Sequence, residues 1–334
     1  MRFYDITISS ATTPPVLPST QQRDLLTGVT TQSSSITQQS KVLRHYSSLL
    51  SNGLTDPSAL TVEFDIPVVF FGDPFGNAHI KIWGVSITEI MQASNYNGQL
   101  ISMQIGMMKG LPLANPQQAG MVLNGKIYQS YGNWQGTNQS IEFIVQLTGF
   151  ENISSQWMAG TSLAQHIKST IETTFTGYTA DVSKMTDLIG TETDTYSYST
   201  LTDFALHMKS LSQSLNKDPS YSGINIGLRG NEFFVNDGTT QETPKVIDFK
   251  DLIGQPTWIR LNAVQFSTVA RSDIGLGDWI KLPQGIATLT KNSYSNLKQT
   301  TSFQGVFKVT SCRHVGNSRQ ADGNSWITVI EAIQ

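Results

Sequence analysis

The 334-residue sequence predicts a mainly β fold of the α+β class. Three observations support this prediction. Apolar residues alternate with polar ones between residues 61 and 150, and again between residues 221 and 334, as half-buried strands require. Between these two stretches the apolar spacing lengthens to three and four residues, which is typical of amphipathic helices. A chain of this length can bury two or three separate cores.

The composition excludes several classes of protein. Charged residues are only 14% of the chain, too few to keep it unfolded by self-repulsion. The longest apolar run, residues 66–71, is too short to span a bilayer, so no membrane insertion is expected. The single cysteine, Cys312, excludes internal disulfides and Cys-based zinc sites. No segment concentrates the basic residues that a dedicated nucleic-acid binder needs.

Residues 1–60 predict a polar N-terminal arm or extension. Residues 12–20 are rich in Pro, Ser and Thr, and residues 27–40 are almost all Thr, Ser and Gln. Apolar side chains between residues 42 and 50 fall at helical spacing before Asn52-Gly53 ends the pattern, which predicts one short helix. The alternative is an arm that becomes ordered only against a neighbouring subunit.

Residues 61–150 predict a first antiparallel β-domain. Three groups of alternating apolar residues mark its strands: Ile80 and Ile82; Ile101, Met103, Ile105 and Met107; Ile141, Phe143, Val145 and Leu147. Gly, Asn and Pro predict turns at residues 95–98, 110–116 and 132–138. One face of each strand should therefore pack on a core, and the other should face solvent or a partner.

Residues 151–250 predict a helical α+β middle portion. Leu163, Ile167 and Ile171 mark a first helix, which begins at a capping box formed by Ser162 and Gln165. A second helix carries one apolar stripe and is capped by Ser199 or Thr200. The stripe consists of Leu201, Phe204, Ala205, Met208, Leu211 and Leu215. The helix should end by Asp218-Pro219.

The chain around the second helix is harder to interpret. Residues 179–199 have no clear period and predict a loop or a short hairpin. Residues 224–228 and 233–235 alternate around a Gly-Asn turn and predict a hairpin. The sequence leaves open whether residues 221–250 belong to the middle portion or to the second β-domain.

Residues 251–334 predict that second β-domain. Its expected strands are residues 258–264, 279–282, 303–309 and 326–330, with a tight turn formed by Gly275, Gly277 and Asp278 before Trp279. A faint duplication is also visible: residues 124–127 lead through a strand and a polar loop to residues 140–143, and residues 304–307 lead likewise to residues 325–328. Two unrelated hairpins could share this pattern, so the duplication is a hypothesis at this point.

The reactive side chains predict no enzyme. The five histidines form no metal-binding motif. His166 and His207 lie on the predicted helices and are interpreted as surface or boundary residues. Cys312 and His314 would share one face of a strand, a geometry that a thiolate–imidazole pair can use. No third residue that would orient the imidazole is identifiable, so packing is the favoured interpretation.

Other catalytic patterns are also missing. Glu63 and Asp65 could be paired carboxylates, but alternation places both on a solvated strand face. Residues 275–278 lack the third glycine and the following helix of a phosphate-binding loop, and no G-x-S-x-G occurs. The sequence therefore predicts no catalytic, cofactor-binding or metal-binding residue, and no cofactor.

The order of several segments resembles one known family. In the first β-domain these are residues 80–84, 100–106, 124–127 and 140–149; in the middle portion, 201–215 and 224–235; in the second β-domain, 253–258, 277–282, 305–309, 314–319 and 326–331. Their order resembles the baseplate hub proteins of contractile-tailed bacteriophages. No single motif is diagnostic, and residues 1–60 have no counterpart in this resemblance.

The resemblance implies a fold and a structural role. The fold would be two tail-tube-like antiparallel β-barrels with an α/β portion between them. Such hubs assemble as homotrimers, whose pseudo-sixfold ring joins the hexameric tail tube to the trimeric spike and contacts other baseplate subunits. The ring leaves a channel through which phage DNA passes without specific binding. The resemblance thus implies a virion protein of the tail baseplate, made in the bacterial cytoplasm.

Two alternatives stay open at this point. The first is a hub or spike subunit of a related contractile injection system. The second is a carbohydrate-binding or cell-wall-degrading tail protein, in which Trp83, Trp134, Trp279 and Trp326 would stack on sugars.

Overall fold

The computed structural model describes residues 2–10, 42–72, 77–107, 116–146, 151–175, 178–230, 232–239, 243–283, 303 and 305–334. Strands predominate over helices throughout these residues, which confirms the mainly β fold class. The three α-helices described are α1 (Ile87–Met91), α2 (Leu163–Thr174) and α3 (Leu201–Leu215). None of the helices in the described part of the chain is long and apolar enough to cross a bilayer.

Eighteen strands are described within those ranges. They are β1 (Arg2–Ser9), β2 (Val42–Ser47), β3 (Thr61–Val68), β4 (Ala78–Trp83), β5 (Leu100–Met107), β6 (Gly120–Gln135), β7 (Asn138–Gln146), β8 (Glu151–Trp157), β9 (Thr179–Lys184), β10 (Asp194–Thr200), β11 (Asn225–Arg229), β12 (Glu232–Asn236), β13 (Lys245–Val246), β14 (Thr257–Arg260), β15 (Ala263–Val269), β16 (Trp279–Lys281), β17 (Phe307–Asn317) and β18 (Trp326–Ile333).

Thirteen of these strands form one large sheet. Its main path runs β14-β15-β18-β17-β3-β4-β7-β6-β5-β1-β2, and β16 and β13 branch from β17. Six strands in one half of this sheet form module 1 (β1 and β3–β7), and six in the other half form module 2 (β13–β18). The strand β2 adds to the free edge of β1.

The two modules have the same strand order, which supports the duplication suggested by the sequence. When the strands of each module are counted along the chain, the order in the sheet is first, fourth, fifth, sixth, third, second. Module 1 runs β1-β5-β6-β7-β4-β3, and module 2 runs β13-β16-β17-β18-β15-β14. The one difference is that β1 and β5 are antiparallel, whereas β13 and β16 are parallel.

The repeat extends to individual hydrogen bonds. Gly98, just before β5, donates its N–H to the carbonyl of Ile127, and Ile127 donates its N–H back to the residue after the glycine. Gly277, just before β16, makes the same pair of bonds with Val309. Both glycines adopt the left-handed region, with φ of +78° and +77°, which a residue without Cβ reaches at little cost. Ile127 of β6 therefore corresponds to Val309 of β17, two residues beyond Phe307, with which the sequence pattern aligns it.

Each module surrounds its own apolar core. In module 1 all six strands contribute fully buried side chains to one cluster, such as Ile6, Ile66, Ile80, Met103 and Phe143. The sheet must curl for strands this far apart in the pairing order to share one core. The Tyr4 hydroxyl of β1 donates to the carbonyl of Leu60 beside β3, which brings the two ends of module 1 together. Module 2 packs around a second cluster that includes Phe266, Ile280 and Phe307.

The middle portion lies between the modules in the chain and has a third core. The strand β8 pairs with β10, and β9 and β11 flank β12. The helices α2 and α3 bury Leu163, Ile167, Leu201 and Phe204 against these strands. The sequence predicted both helices correctly. Ser162 caps α2, because its hydroxyl accepts a hydrogen bond from the backbone N–H of Gln165. This is one of the two bonds of the predicted capping box. Thr200 caps α3 by accepting the backbone N–H of Asp203.

Residues 1–60 are the main correction to the predicted organisation. The chain from Arg2 to Ser9 is not part of an arm, because it forms β1 and pairs along its whole length with β5 inside module 1. The predicted helix near residue 42 is the strand β2, whose apolar residues occur at a spacing that fits both structures. Pairing with β1 decides between them. The polar stretch of residues 11–41 lies outside the described residues.

Four smaller predictions also differ from the structure. The turn predicted at residues 132–138 is confined to residues 136–137, since β6 continues to Gln135 and β7 begins at Asn138. Residues 258–264 form a β14–β15 hairpin instead of one strand. Residues 179–199 are not a hairpin, because β9 and β10 join different sheets. Residues 221–250 divide: β11 and β12 belong to the middle portion and β13 to module 2.

Candidate assembly surfaces

The residues considered for catalysis do not form a reactive site. Cys312 and His314 share the buried face of β17, as predicted, but each has its own partner. The thiol contacts the carbonyl of Ile274 at 3.8 Å, and His314 Nδ1 lies 2.9 Å from the hydroxyl of Thr328. Burial raises the pKa of the Cys312 thiol to about 12 and lowers the pKa of His314 to about 4. At neutral pH both groups are therefore uncharged, which does not suit a thiolate nucleophile.

We expect Cys312 to be unreactive in the folded protein. At pH 8 iodoacetamide should alkylate the native chain at least roughly 100-fold more slowly than the chain unfolded in guanidinium, because the buried thiol is protonated and inaccessible. Mass spectrometry of the intact protein measures this directly, since the sequence has one cysteine. Equal rates in the two states would contradict the burial of this side chain.

The two helical histidines differ from each other. His166 was predicted as a surface or boundary residue, and this is wrong: it is buried, it lies 2.8 Å from the hydroxyl of Ser155, and it stacks on Trp157. Burial lowers the pKa of His166. His207 is a boundary residue as predicted, and its Nδ1 lies 2.6 Å from the Tyr198 hydroxyl. Within the described residues no group of three or more His, Cys, Asp or Glu side chains could hold a metal ion.

Glu63 and Asp65 lie on the outer face of β3, as the alternation predicts. Glu63 accepts a hydrogen bond from the amide of Asn317 at 2.9 Å, and Asp65 forms a two-bonded ion pair with Arg313. Both partners belong to β17, so these carboxylates connect module 1 to module 2. They border a shallow surface cleft of about 430 Å³ over the β17-β3-β4 surface.

The contact between the modules is the first candidate assembly surface. The strand β3 pairs antiparallel with β17, from Val68 opposite Cys312 to Glu63 opposite Asn317. Behind this ladder the rings of Phe64 and Trp326 meet edge to face, with their centroids 5.1 Å apart. Sequence reasoning did not find this ladder, because strand pairing over such a separation leaves no local signal.

A second contact between the modules is made where Gln118 of module 1 reaches a buried ion pair of module 2. The guanidinium of Arg271 binds Asp273 at 2.6 Å and Asp251 at 3.3 Å, and its side chain is buried. The Gln118 side chain, which lies between β5 and β6, donates to the same Asp251 carboxylate at 2.7 Å. The backbone N–H of Ser272 donates to the Gln118 carbonyl. One amide side chain of module 1 is therefore built into the charge network of module 2.

A buried carboxylate connects module 2 to the middle portion. Asp278, in the glycine turn before β16, is 1% exposed and lies 3.0 Å from Arg229 of β11 and 2.8 Å from Lys245 of β13. Lys184 of β9 approaches it at 3.8 Å, and the N–H of Gly275 donates to it. From the sequence we predict only that this turn is tight and that it is not a phosphate-binding loop. Its aspartate instead gathers cations from three separate strands.

Burial and charge act in opposite directions on this carboxylate. Burial by itself raises the pKa of Asp278, but Arg229, Lys245 and the Gly275 N–H together outweigh that effect. The pKa of Asp278 therefore lies below its ordinary value. The carboxylate stays ionised at neutral pH and holds the three strands together as a charged group.

The four tryptophans considered as a sugar platform do not form one. Trp326 is buried against Phe64. The Nε1 atom of Trp83 is buried, and Lys81 lies over its ring at 4.2 Å. Trp279 is half-buried on β16. Only Trp134, at the end of β6, is more than half exposed.

No protein-family model and no curated protein matches the sequence. Among solved structures, the chain is similar to a 43 kDa tail protein of prophage MuSo2 from Shewanella oneidensis, with 7% identity and a TM-score of 0.46 over 82% of this chain and 92% of that one. It is also similar to a tail protein from Neisseria meningitidis MC58, with 9% identity and a TM-score of 0.46 over 82% and 91%.

A third similar structure is a Francisella PdpA–VgrG complex in its lidded form. The identity is 8% and the TM-score 0.42, and the match covers 100% of this chain but only 52% of that one. The first two of these structures are tail proteins.

Proposed function

We propose that this chain is a structural virion protein, the central hub of a contractile-tail baseplate, and that it has no enzymatic activity. The observation that carries the proposal is the presence of two modules with one strand order in a single chain. Three copies of such a chain supply six similar modules. The resulting ring can match a sixfold neighbour with its modules and a threefold neighbour with its chains.

The proposed partners follow from this symmetry. The hexameric tail tube would contact the six modules, and the trimeric spike would contact the threefold face formed by the middle portions or module edges. Other baseplate subunits would bind the outside of the ring. Phage DNA would pass through the channel without specific binding, and the formal net charge of −3 supports weak contact with phosphate.

The proposal is tested by the mass and shape of the purified protein. We expect mass photometry to give about three times 36.7 kDa, and negative-stain electron microscopy to show rings with a central channel. The rings should co-elute with the cognate tube and spike proteins and not with a tube protein from an unrelated phage. A monomer at high concentration that binds neither partner would contradict the proposal.

A hub subunit of a related contractile injection system is the second candidate, because the same repeat would serve there equally well. Particles isolated from the producing bacterium distinguish the two. The chain would be found in tails attached to DNA-filled capsids in the first case, and in headless particles or cell-envelope complexes in the second.

A further inference from the structure

The repeat identifies a part of β6 that has no described strand on its outer edge where its counterpart in module 2 is paired, although Ile90 of α1 packs against Gly132 on one face of this segment. Past Val309, residues 312–317 of β17 pair with β3. Because Val309 corresponds to Ile127, the counterpart of this covered segment is residues 130–135 of β6. The strand β5 pairs with β6 only as far as Lys126, and beyond that point no described strand lies on the edge of β6 that faces away from β7.

The backbone of this β6 segment is oriented for further pairing. The N–H of Ser130 points away from β7 and donates to the side chain of Asn97 at 2.7 Å, so a strand that pairs at Ser130 replaces Asn97 as the acceptor. Since amide directions alternate along a strand, the N–H groups of Gly132 and Trp134 point to the same side. Two exposed aromatic side chains flank the segment, Tyr128 at 61% exposure and Trp134 at 60%.

The strand β14 is the counterpart of β3, and it lies at the end of the sheet. Whereas β3 pairs with β4 on one side and β17 on the other, β14 pairs only with β15 among the described strands. Ile259 is 41% exposed and Leu261 is fully exposed beside this edge. A free edge next to exposed apolar side chains is a template for pairing with another chain.

The alignment also predicts the register. Strand pairs lead from β6 through β7 and β4 to β3 in module 1, and from β17 through β18 and β15 to β14 in module 2. When these paths start at the equivalent residues Ile127 and Val309, they end at Ile66 and Trp258, which are therefore equivalent. Ile66 is opposite His314 in the β3–β17 ladder. His314 corresponds to Gly132. The free edge of β14 and the free segment of β6 are therefore the two halves of the junction that already exists once inside the chain.

We propose that copies of this chain join head to tail through an antiparallel ladder between β14 of one copy and residues 130–133 of β6 in the next, with Trp258 opposite Gly132. The partner is a second copy, because this chain carries both halves of the junction. The inference rests on the proposed ring and assigns its interface. Every boundary between modules, within and between chains, then uses one kind of ladder, as a closed ring requires.

Two variants test the interface, one on each half. Ile259→Lys with Leu261→Lys places charge beside the β14 edge, and Trp134→Lys places charge beside the β6 segment; all three side chains are exposed, so the fold should be retained. The control is Ile189→Lys, which changes a 59% exposed side chain of the middle portion. Circular dichroism and thermal unfolding establish that each variant is folded.

The expected masses distinguish a head-to-tail interface from other kinds. Each edge variant alone should be monomeric by mass photometry at concentrations where wild type and Ile189→Lys are trimeric, a loss of at least tenfold in association. Each edge variant keeps the half of the junction that the other has lost. A mixture of the two should therefore form one intact interface per pair and give a heterodimer of twice 36.7 kDa, which cannot close into a ring.

Three outcomes would overturn the inference. Trimeric edge variants would exclude this interface while leaving the hub proposal intact. Monomeric edge variants whose mixture gives no heterodimer would show that the two surfaces do not bind each other. A monomeric wild type would contradict both the interface and the proposed ring.

Discussion

Asp278→Asn is expected to lower the free energy of unfolding by about 3–5 kcal/mol, the usual cost of removing one partner from a buried charge cluster. The change is nearly isosteric, so it removes the charge and leaves the packing. Arg229 and Lys245 then lie beside a neutral amide, and the approach of Lys184 is no longer compensated. The strands β9, β11 and β13 lose the group that holds them to the turn before β16.

The effect should depend on pH in a defined direction. The pKa of Asp278 in the folded chain lies below its ordinary value of 3.8, so the unfolded chain binds the proton more readily. The stabilisation is fully present above about pH 5 and is lost as the pH falls through the folded pKa. The difference between wild type and Asp278→Asn should therefore be constant near neutral pH and should shrink in acid below about pH 4.

Guanidinium unfolding followed by tryptophan fluorescence measures this difference. The matched control is Asp248→Asn, which removes a carboxylate paired with Lys250 at 3.0 Å on the surface. That variant should leave the unfolding free energy nearly unchanged, because exposed ion pairs contribute little and the asparagine side chain can still accept the backbone N–H of Lys250. If the two variants were equally stable, the buried cluster would contribute nothing to the cohesion of module 2 and the middle portion.

Gly316→Ala is expected to cost about 1–3 kcal/mol of unfolding free energy, because the site has no room for a methyl group. A Cβ at residue 316 would overlap the ring of Phe64 and press on Trp326. These two rings pack behind the ladder between β3 and β17. The substitution therefore strains the contact between the two modules, although alanine suits a strand better than glycine does.

A matched substitution and a double mutant separate steric strain from other effects. Gly323→Ala lies in the connection that follows β17, where the nearest atom to a new Cβ is 3.9 Å away, and it should be nearly neutral. Phe64→Leu combined with Gly316→Ala should recover part of the loss, because the shorter side chain makes room for the methyl group. Strictly additive losses, measured by chemical denaturation, would place the strain elsewhere.

Local patterns were sufficient to predict α2, α3 and many of the strands, but not the short helix α1. The stripe from Leu201 to Leu215 and the cap at Thr200 define α3, since helix formation depends on residues three and four positions apart and on one capping side chain. Alternation likewise predicted β4, β5 and β7. The same reasoning gave the wrong structure at residues 42–47, where apolar spacing fits a helix and only pairing with β1 makes a strand.

The assembly surfaces could not be predicted from local patterns. Asp278 lies in a glycine turn, where the sequence has no apolar periodicity. The cationic side chains around it belong to residues 184, 229 and 245, which are distant in the sequence. The contact of Gln118 with Asp251 joins residues that are 133 positions apart. Neither contact has a short sequence signature, because the partners approach only when the sheets are assembled.

The amino-acid sequence by itself determined that the protein is mainly β, with two helices between two β-rich ends, because these features follow from side-chain periodicity over a few residues. Tertiary structure alone decided that the first strand belongs to module 1, that both modules share one strand order, and that β3 of one pairs with β17 of the other. Pairing between distant strands depends on backbone groups that every residue carries, so the identity of the side chains does not specify it locally.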